Sequence, residues 1–261
     1  MNDIRDDILA RVRSFPGDVS FCFKNLVTGD SLSHRAGAPH TAASVIKLAV
    51  MAEAFRRFEA EPSLKGRLLP LQDADRVPIC GVLTLMHSGL EVSLMDLVWL
   101  MITISDNMAT NMLIDFLGIE AIQGTAEALG LEGTALRRKL FEPRPELSAL
   151  RNTVTAGDMA RLLEGLWRGQ VLSPEASRGM LEVLLAQQLN GKIPARLPLD
   201  YPAAHKTGED DGISHDVGIV YAAQPFVVCF LGSGIHAPDW NALMGEVTEQ
   251  LAQLCGGARE G

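Results

Sequence analysis

Three short motifs in the sequence combine residue types and spacing that suit nucleophilic chemistry on an acyl group. They are Ser44-Val-Ile-Lys47, Ser105-Asp-Asn107 and Lys206-Thr-Gly208, in that order. Each motif is weak by itself, because a pattern this short also arises by chance in a chain of this length. Their combination predicts one site that is assembled from three distant parts of the chain.

The first motif predicts an activated serine. A serine hydroxyl is a poor nucleophile and needs a base within hydrogen-bond reach. Lys47 follows Ser44 by three residues, so both side chains share one helix face. The motif stands at the start of a helix that we predict from Thr41 to about Phe58. There the helix dipole and a second lysine nearby both disfavour a protonated amine. We predict Ser44 as the nucleophile and neutral Lys47 as its base.

The second motif follows residues 94–104, which are almost entirely apolar and predict a buried helix. Polar residues at the end of such a helix are often caps or loop contacts, and that alternative stays open. In the functional interpretation, Ser105 passes a proton to the leaving amide nitrogen. Asn107 then holds Lys47 and the substrate amide. We expect Asp106 to point away and to tie down the loop.

The third motif lies on a predicted strand. Lys206 offers positive charge for a substrate carboxylate, and Thr207 adds a hydroxyl donor. Gly208 lets the substrate backbone approach closely. The backbone N–H groups of Ser44 and Glu209 are then candidates for an oxyanion hole. The alternative is an ordinary surface lysine before a turn.

The elements that position these motifs follow the order helix, strands, many helices, strands, helix. Strands at both ends of the chain around a helical block predict an α+β fold with an antiparallel sheet. We expect residues 1–47 and 196–261 to form an α/β sheet lobe. Residues 48–195 would form an inserted all-α lobe.

Composition excludes several function classes. The chain has 261 residues, of which 47% are hydrophobic and 21% charged, so it can build a sizeable core. A net charge of -9 argues against nucleic-acid binding. No apolar run approaches the roughly 20 residues of a membrane helix, and no cysteine pair has zinc-site spacing. We expect a monomer that acts on a small molecule and needs no metal or cofactor.

The N-terminal residues bear on the cellular compartment of the protein. It is acidic and lacks the apolar segment of a secretory signal. As the sequence stands, it predicts a cytoplasmic protein; a trimmed mature form would be periplasmic or secreted. Cys22 and Cys229 lie in strand-like apolar runs, and as buried free thiols they mildly favour a reducing compartment.

Taken together, S-x-x-K, S-D-N and K-T-G resemble the motif set of class A β-lactamases and penicillin-binding proteins. Their order and separations are also similar to class A, and the resemblance covers nearly the whole chain. It implies a five-stranded antiparallel sheet, flanked by terminal helices, beside an all-α lobe. It further implies a penicillin-recognising serine hydrolase that opens amides ending in a carboxylate through an acyl-enzyme on Ser44. Such activity would confer antibiotic resistance.

One loop departs from the class A pattern. The family carries E-x-E-L-N between the second and third motifs, and its first Glu and its Asn hold the deacylating water. This chain has Glu142-Pro-Arg-Pro-Glu146-Leu-Ser148 instead. The spacing from Ser105 predicts Glu142 as the deacylation base, with Glu146 as the alternative. A shifted alignment puts Arg144 in that position and Ser148 in place of the Asn.

A second departure follows the third motif. The acidic run Glu209-Asp-Asp211 stands where the family usually has small residues. No Arg or Lys lies between Glu209 and Gln224, so the arginine that commonly helps to bind the carboxylate is missing. His215 could substitute for it or be structural. Two other functions therefore stay open: a related D,D-peptidase, esterase or other acyl-transfer hydrolase with another acyl donor, and a β-lactam-binding sensor that stays acylated.

Overall fold

The computed structural model describes residues 2–78 and 80–256, and its strands fall into one large sheet and two small pairs. Strands occur near both ends of the chain, as the sequence predicts. In the described residues the strands are β1 (Asp18–Asn25), β2 (Ser31–His34), β3 (His40–Thr41), β4 (Leu68–Pro70), β5 (Glu91–Ser93), β6 (Thr153–Val154), β7 (Ala203–Asp210), β8 (Ile213–Val220) and β9 (Phe226–Ser233).

The large sheet has the order β2-β1-β9-β8-β7, and its neighbouring strands are antiparallel. The N-terminal hairpin therefore pairs directly with the last strand, with Cys22 opposite Cys229. Of these two thiols, Cys229 is buried and Cys22 is half-buried. The predicted five-stranded antiparallel sheet, built from both ends of the chain, is confirmed. The third motif lies on β7, an edge strand of this sheet.

Helices cover both faces of this sheet and fill the middle of the chain. Several begin with the expected caps; Thr155 and Ser173, for example, accept hydrogen bonds from the backbone N–H three residues later. The helices are α1 (Asn2–Ser14), α2 (Lys47–Ala60), α3 (Leu94–Thr103), α4 (Asn107–Leu117), α5 (Ile119–Ala128), α6 (Pro145–Ser148), α7 (Ala156–Trp167), α8 (Pro174–Leu185) and α9 (Ala237–Cys255).

Two apolar clusters hold the sheet between the helices. On one face, α1 and α9 pack against β1 and β9 around the fully buried Trp240. On the other face, α2 to α5, α7 and α8 share a larger core with side chains of β8 and β9. β9 is buried on both faces, which explains its nearly continuous apolar sequence. The division into lobes at residues 47/48 and 195/196 stays a prediction.

The segment before α2 differs from the expectation. Thr41 does not begin a helix, because β3 pairs with β6 and holds His40 and Thr41 extended. A 3-10 turn, Ala43–Ile46, then leads into α2. The predicted loop at residues 139–154 contains β6 and the short helix α6 as well. Within the described ranges, none of the helices is long and apolar enough to cross a membrane.

Replacing Trp240 by alanine is expected to lower the free energy of unfolding by about 3–5 kcal/mol. Its ring packs against Phe15 and Phe230, and its indole N–H donates to the Ser214 carbonyl, so both packing and a hydrogen bond are lost. Urea unfolding followed by circular dichroism measures the change. The fully exposed Leu199 offers the control, since Leu199→Ala should change stability by less than about 0.5 kcal/mol. Equal losses in both variants would contradict the packing account.

Candidate active site

Ser44 lies in the 3-10 turn that precedes α2, with its side chain half-buried. The preceding residue, Ala43, has a φ of 43°, a left-handed conformation that is strained for a residue with a β-carbon. Gly208 of β7 packs against this turn. A β-carbon at position 208 would lie 3.3 Å from the Ser44 nitrogen. The glycine therefore lets the edge strand approach the backbone N–H of the serine.

Lys47, one turn along, is fully buried. Its amine donates to the Ser105 carbonyl at 2.8 Å, to the Ser105 Oγ at 3.0 Å and to the Asn107 Oδ1 at 2.9 Å. Three acceptors match the three N–H donors of the protonated amine, so its neutral form would free one of these positions as a lone pair. The sequence-based expectation that Asn107 holds Lys47 agrees with this contact. In the part of the chain that the structure describes, the Ser44 hydroxyl has no hydrogen bond; such contacts often tighten only once substrate is bound.

Ser105 connects the two lysines of the site. It lies between α3 and α4 with a φ of 58°, so the chain turns sharply there. Its hydroxyl contacts the Lys47 amine, and the Lys206 amine donates to the same oxygen at 3.1 Å. The structure thus brings Ser105, Lys47, Asn107 and Lys206 together from three separate elements.

Asp106 stabilises the corner between α3 and α4, which carries Ser105 and Asn107. Its carboxylate caps α4 by accepting from the Ala109 N–H at 2.9 Å. It also accepts from Val82 N at 2.7 Å and Leu83 N at 2.9 Å. The side chain therefore points away from the lysines and ties down a neighbouring loop, as the sequence predicts.

Lys206 comes from β7, and its side chain is also fully buried. Besides Ser105, its amine donates to the carbonyl of Thr207 at 2.8 Å. Thr207 is buried too, and it points to the opposite face of the strand because side chains alternate along β7. Lys206 could therefore take part in proton transfer through Ser105 as well as bind an anion.

Burial of two amines around one hydroxyl disfavours their charged forms. The pKa of Lys47 is well below its ordinary value, because of burial and then of the positive charge of Lys206. Burial also lowers the pKa of Lys206 to about 7; Asp216 raises this pKa and Lys192 lowers it. Carboxylates partly compensate both charges, Asp106 at Lys47 and Asp216 at Lys206. The pKa of Lys47 is the one held well below its ordinary value, so we expect Lys47 to give up its proton first.

Glu142 is engaged by a residue of its own loop. The Arg144 guanidinium forms a two-pronged ion pair with its carboxylate, Nε to Oε1 at 2.7 Å and Nη2 to Oε2 at 2.9 Å. Hydrogen bonding from Arg144 lowers the pKa of Glu142 to about 2. Within the described residues, the hydrogen bonds to the Glu142 carboxylate all come from Arg144. Glu146 is exposed, and the side chain of Ser148 lies outside the described part.

His215, which could have replaced the missing arginine, is instead hydrogen-bonded to two backbone groups. Its Nε2–H donates to the Thr41 carbonyl at 2.9 Å, and its Nδ1 accepts from Gly232 N at 3.1 Å. These two backbone partners require the neutral tautomer. Burial lowers the pKa of His215 to about 4, which agrees with a neutral ring at physiological pH.

A different cation, Lys192, lies beside the third motif, and sequence reasoning missed it. Lys192 precedes β7, its side chain is 4% exposed, and its amine forms an ion pair with Glu209 at 2.9 Å. It also donates to the carbonyls of Gly208 and His215. No short motif marks this lysine, because it is separated from β7 in sequence and approaches the strand only through the fold. Glu209 therefore does not stand alone beside the third motif.

A buried polar pair anchors the segment that carries Lys192. His205 Nδ1 lies 2.9 Å from Asp216 Oδ1, and both side chains are fully buried. Asp216 Oδ2 accepts from the backbone N–H of Ile193 at 3.0 Å. His205 Nε2 contacts Asn190 at 3.0 Å on the other side. These contacts fix the backbone on both sides of Lys192 against β7 and β8.

Comparisons with known proteins identify relatives of this chain. A model of the beta-lactamase enzyme family matches residues 3–255. A beta-lactamase of Rhodobacter capsulatus is 35% identical over 158 residues, 59% of this chain. That match spans only 53% of the relative's own length. A crystal structure of a beta-lactamase from Sphaerobacter thermophilus DSM 20745 superposes with a TM-score of 0.90 and 30% identity, covering 97% of each chain.

A second structural neighbour is PBP-A. Its structure has a TM-score of 0.87 and 27% identity, covering 97% of this chain and 96% of PBP-A. A PBP-A mutant, with a TM-score of 0.86, 27% identity and the same coverage, has been solved as an acyl-enzyme complex with penicillin G.

The two lysines predict a distinct pH dependence. Loss of the Lys47 proton should increase the acylation rate as pH rises, because only the neutral amine accepts a proton. Above about pH 7, Lys206 also loses its charge and should bind an anion less well. An acyl donor with a carboxylate should therefore show a bell-shaped profile of kcat/KM between about pH 5 and 10. A neutral donor should show only the rising limb, and identical profiles for both donors would contradict the two roles.

Proposed function

The chain belongs to the beta-lactamase enzyme family, and on that premise we propose that it is a class A-type serine hydrolase that opens β-lactam amides through an acyl-enzyme on Ser44. The family assignment itself supports a hydrolase that acts on small β-lactam substrates. The observation that carries the finer proposal is the Ser105 hydroxyl, which lies between the buried amines of Lys47 and Lys206. The hydrogen-bonded groups of Lys47, Ser105 and Lys206 can accept one proton and later donate it without a water molecule.

Acylation would proceed as follows. The Ser44 Oγ attacks the amide carbonyl carbon, and its proton passes to the neutral amine of Lys47. The carbonyl oxygen becomes an oxyanion, which the backbone N–H groups of Ser44 and Glu209 would stabilise. The C–N bond then breaks. The proton moves from Lys47 through the Ser105 hydroxyl to the leaving nitrogen, which leaves an ester on Ser44.

Substrate binding would use groups around this proton path. Asn107 would orient the substrate amide, and the charge of Lys206 with the Thr207 hydroxyl would hold the carboxylate. We propose that residues 1–47 and 196–261 form one lobe and residues 48–195 the other. The site would then lie in the cleft between them, in a monomer that needs no metal.

Deacylation is the step at which this chain differs from a class A enzyme. Glu142 is our proposed base, and its ion pair with Arg144 makes it a weak one because the carboxylate holds its proton poorly. The pair must open before Glu142 can activate water. We therefore expect a slow second step and an acyl-enzyme that accumulates.

This ion pair also favours a second candidate function. A protein that acylates quickly and deacylates slowly behaves as a penicillin-binding D,D-peptidase or a sensor rather than as a β-lactamase. The similarity to PBP-A, for which a penicillin G acyl-enzyme has been solved, supports this alternative. A chromogenic cephalosporin assay separates turnover from acylation, and mass spectrometry after a penicillin pulse detects a persistent adduct.

Ser44→Ala is expected to abolish the acyl-enzyme and to reduce turnover by a factor on the order of 10⁶. The fold should be unaffected, since a small residue replaces another in a half-buried turn. Mass spectrometry after a penicillin pulse is the measurement, with the unfolding curve as its control. Turnover at the wild-type rate would reject the whole assignment.

Glu142→Gln is expected to acylate normally and to slow hydrolysis of the acyl-enzyme by about 10²–10⁴. Arg144→Ala should have the opposite effect, because freeing the carboxylate raises its basicity. Burst kinetics with a chromogenic cephalosporin measure both steps. Glu146→Gln is the matched control and should change little, since Glu146 is exposed on the same loop.

The loop variants also separate the alternatives. A stall in Glu146→Gln with normal turnover in Glu142→Gln would make Glu146 the base. If neither variant stalls, deacylation runs without this loop, and the D,D-peptidase or esterase interpretation becomes the better one.

A further inference from the structure

We propose that Glu209 is an internal competitor for the carboxylate of the substrate, and that Lys192 is the cation for which both compete. This inference rests on the proposed function, because it concerns the acyl donors of the same site. It names a specificity-determining pair: donors with a carboxylate must displace Glu209, whereas donors without one need not.

The Lys192 amine has one exchangeable partner. It donates to the Gly208 carbonyl at 3.3 Å and to the His215 carbonyl at 3.1 Å, both of which belong to the sheet and are fixed. Its third partner is the carboxylate of Glu209 at 2.9 Å. The amine thus has two hydrogen bonds to backbone carbonyls and one ion pair, and only the carboxylate can leave without moving the backbone.

The exposure of the two side chains is unequal. That of Lys192 is 4% exposed and that of Glu209 is 68% exposed. A buried cation needs an anionic partner, because desolvation without one is costly. The exposed Glu209 can rotate into solvent without moving the backbone, but only when another anion takes its place beside Lys192.

The pair lies next to the position where the substrate would react. The carbonyl of Gly208 accepts from Lys192, and the same glycine packs so closely on the turn of Ser44 that a β-carbon there would lie 3.3 Å from the serine nitrogen. Side chains alternate along β7, so Thr207 and Glu209 point to the same face of the strand. A substrate carboxylate that binds Thr207, as proposed above, would therefore compete with the Glu209 carboxylate for Lys192.

Lys192 itself is held in place by its neighbours. The backbone N–H of Ile193 donates to Asp216, and the N–H of Ala195 donates to the Lys192 carbonyl at 3.0 Å. Asp216 is in turn bound to His205. A fixed cation with a mobile anion is the arrangement that exchange requires.

The test uses two acyl donors that differ in one group. One is an N-acylglycyl thioester whose thioglycolate leaving group ends in a free carboxylate, and the other is its methyl ester. Glu209→Gln should raise the ratio of kcat/KM for the anionic donor to that for the neutral donor on the order of tenfold, as expected for one charge-assisted hydrogen bond. Lys192→Ala in the Glu209→Gln background should remove this gain.

Asp210→Asn is the matched control. It removes the same charge from the next residue, which is exposed and points to the other face of β7. Its ratio should stay within about twofold of wild type, since only screened surface charge is lost. A similar gain in Asp210→Asn would reduce the effect to net charge and overturn the proposal. A fall of the ratio in Glu209→Gln would also overturn it, because Glu209 would then be assisting the anion.

A second readout separates this inference from the proposed function. If wild type forms no adduct on Ser44 with either donor, the proposed acyl transfer fails. Binding of phenylacetate, measured by calorimetry, still tests the competition, because it needs no acylation. Glu209→Gln should bind phenylacetate on the order of tenfold more tightly than wild type. Equal affinity would overturn the internal competitor whatever the outcome at Ser44.

Discussion

The structure of the site depends on one constraint: two buried lysine amines share the hydroxyl of Ser105. Lys47 and Lys206 lie within 3.0 and 3.1 Å of its Oγ, and neither side chain contacts solvent. Two ammonium groups so close in a dry environment repel each other, and each charge also lacks hydration. Burial and mutual repulsion therefore favour a neutral form for at least one amine near physiological pH. Under the proposed function, that neutral amine would take the Ser44 proton and make this hydroxyl a nucleophile.

The fold supplies this constraint from elements far apart in sequence. The turn before α2 brings Lys47, the α3–α4 corner brings Ser105, and edge strand β7 brings Lys206. Backbone strain accompanies the assembly, since Ala43 and Ser105 both have a positive φ. Strained conformations persist only where the surrounding structure over-determines them. Here Asp106 does so for the corner through three backbone N–H groups.

The sequence predicts much of this and misses what depends on loop conformation. The three motifs, the antiparallel sheet and the outward-facing Asp106 follow from residue type, periodicity and capping chemistry. The ion pair of Glu142 with Arg144 does not, because its geometry depends on how the loop folds. Lys192 escapes sequence reasoning for a related cause: it contacts β7 only in the folded chain, where Asp216 holds the backbone N–H of the next residue, Ile193. Ion-pair partners that are distant in sequence leave no local sequence pattern.

The most direct test of the proposed chemistry is the protonation state of the two lysines in the free enzyme. Titration of protein labelled with ¹³C at lysine Cε, observed by nuclear magnetic resonance and assigned with Lys47→Arg and Lys206→Arg, measures each pKa. We expect Lys47 to titrate far below its ordinary pKa and Lys206 to titrate near about 7, where burial has lowered it. If both amines remain protonated until about pH 10, the value of an ordinary lysine, the proposed base does not exist.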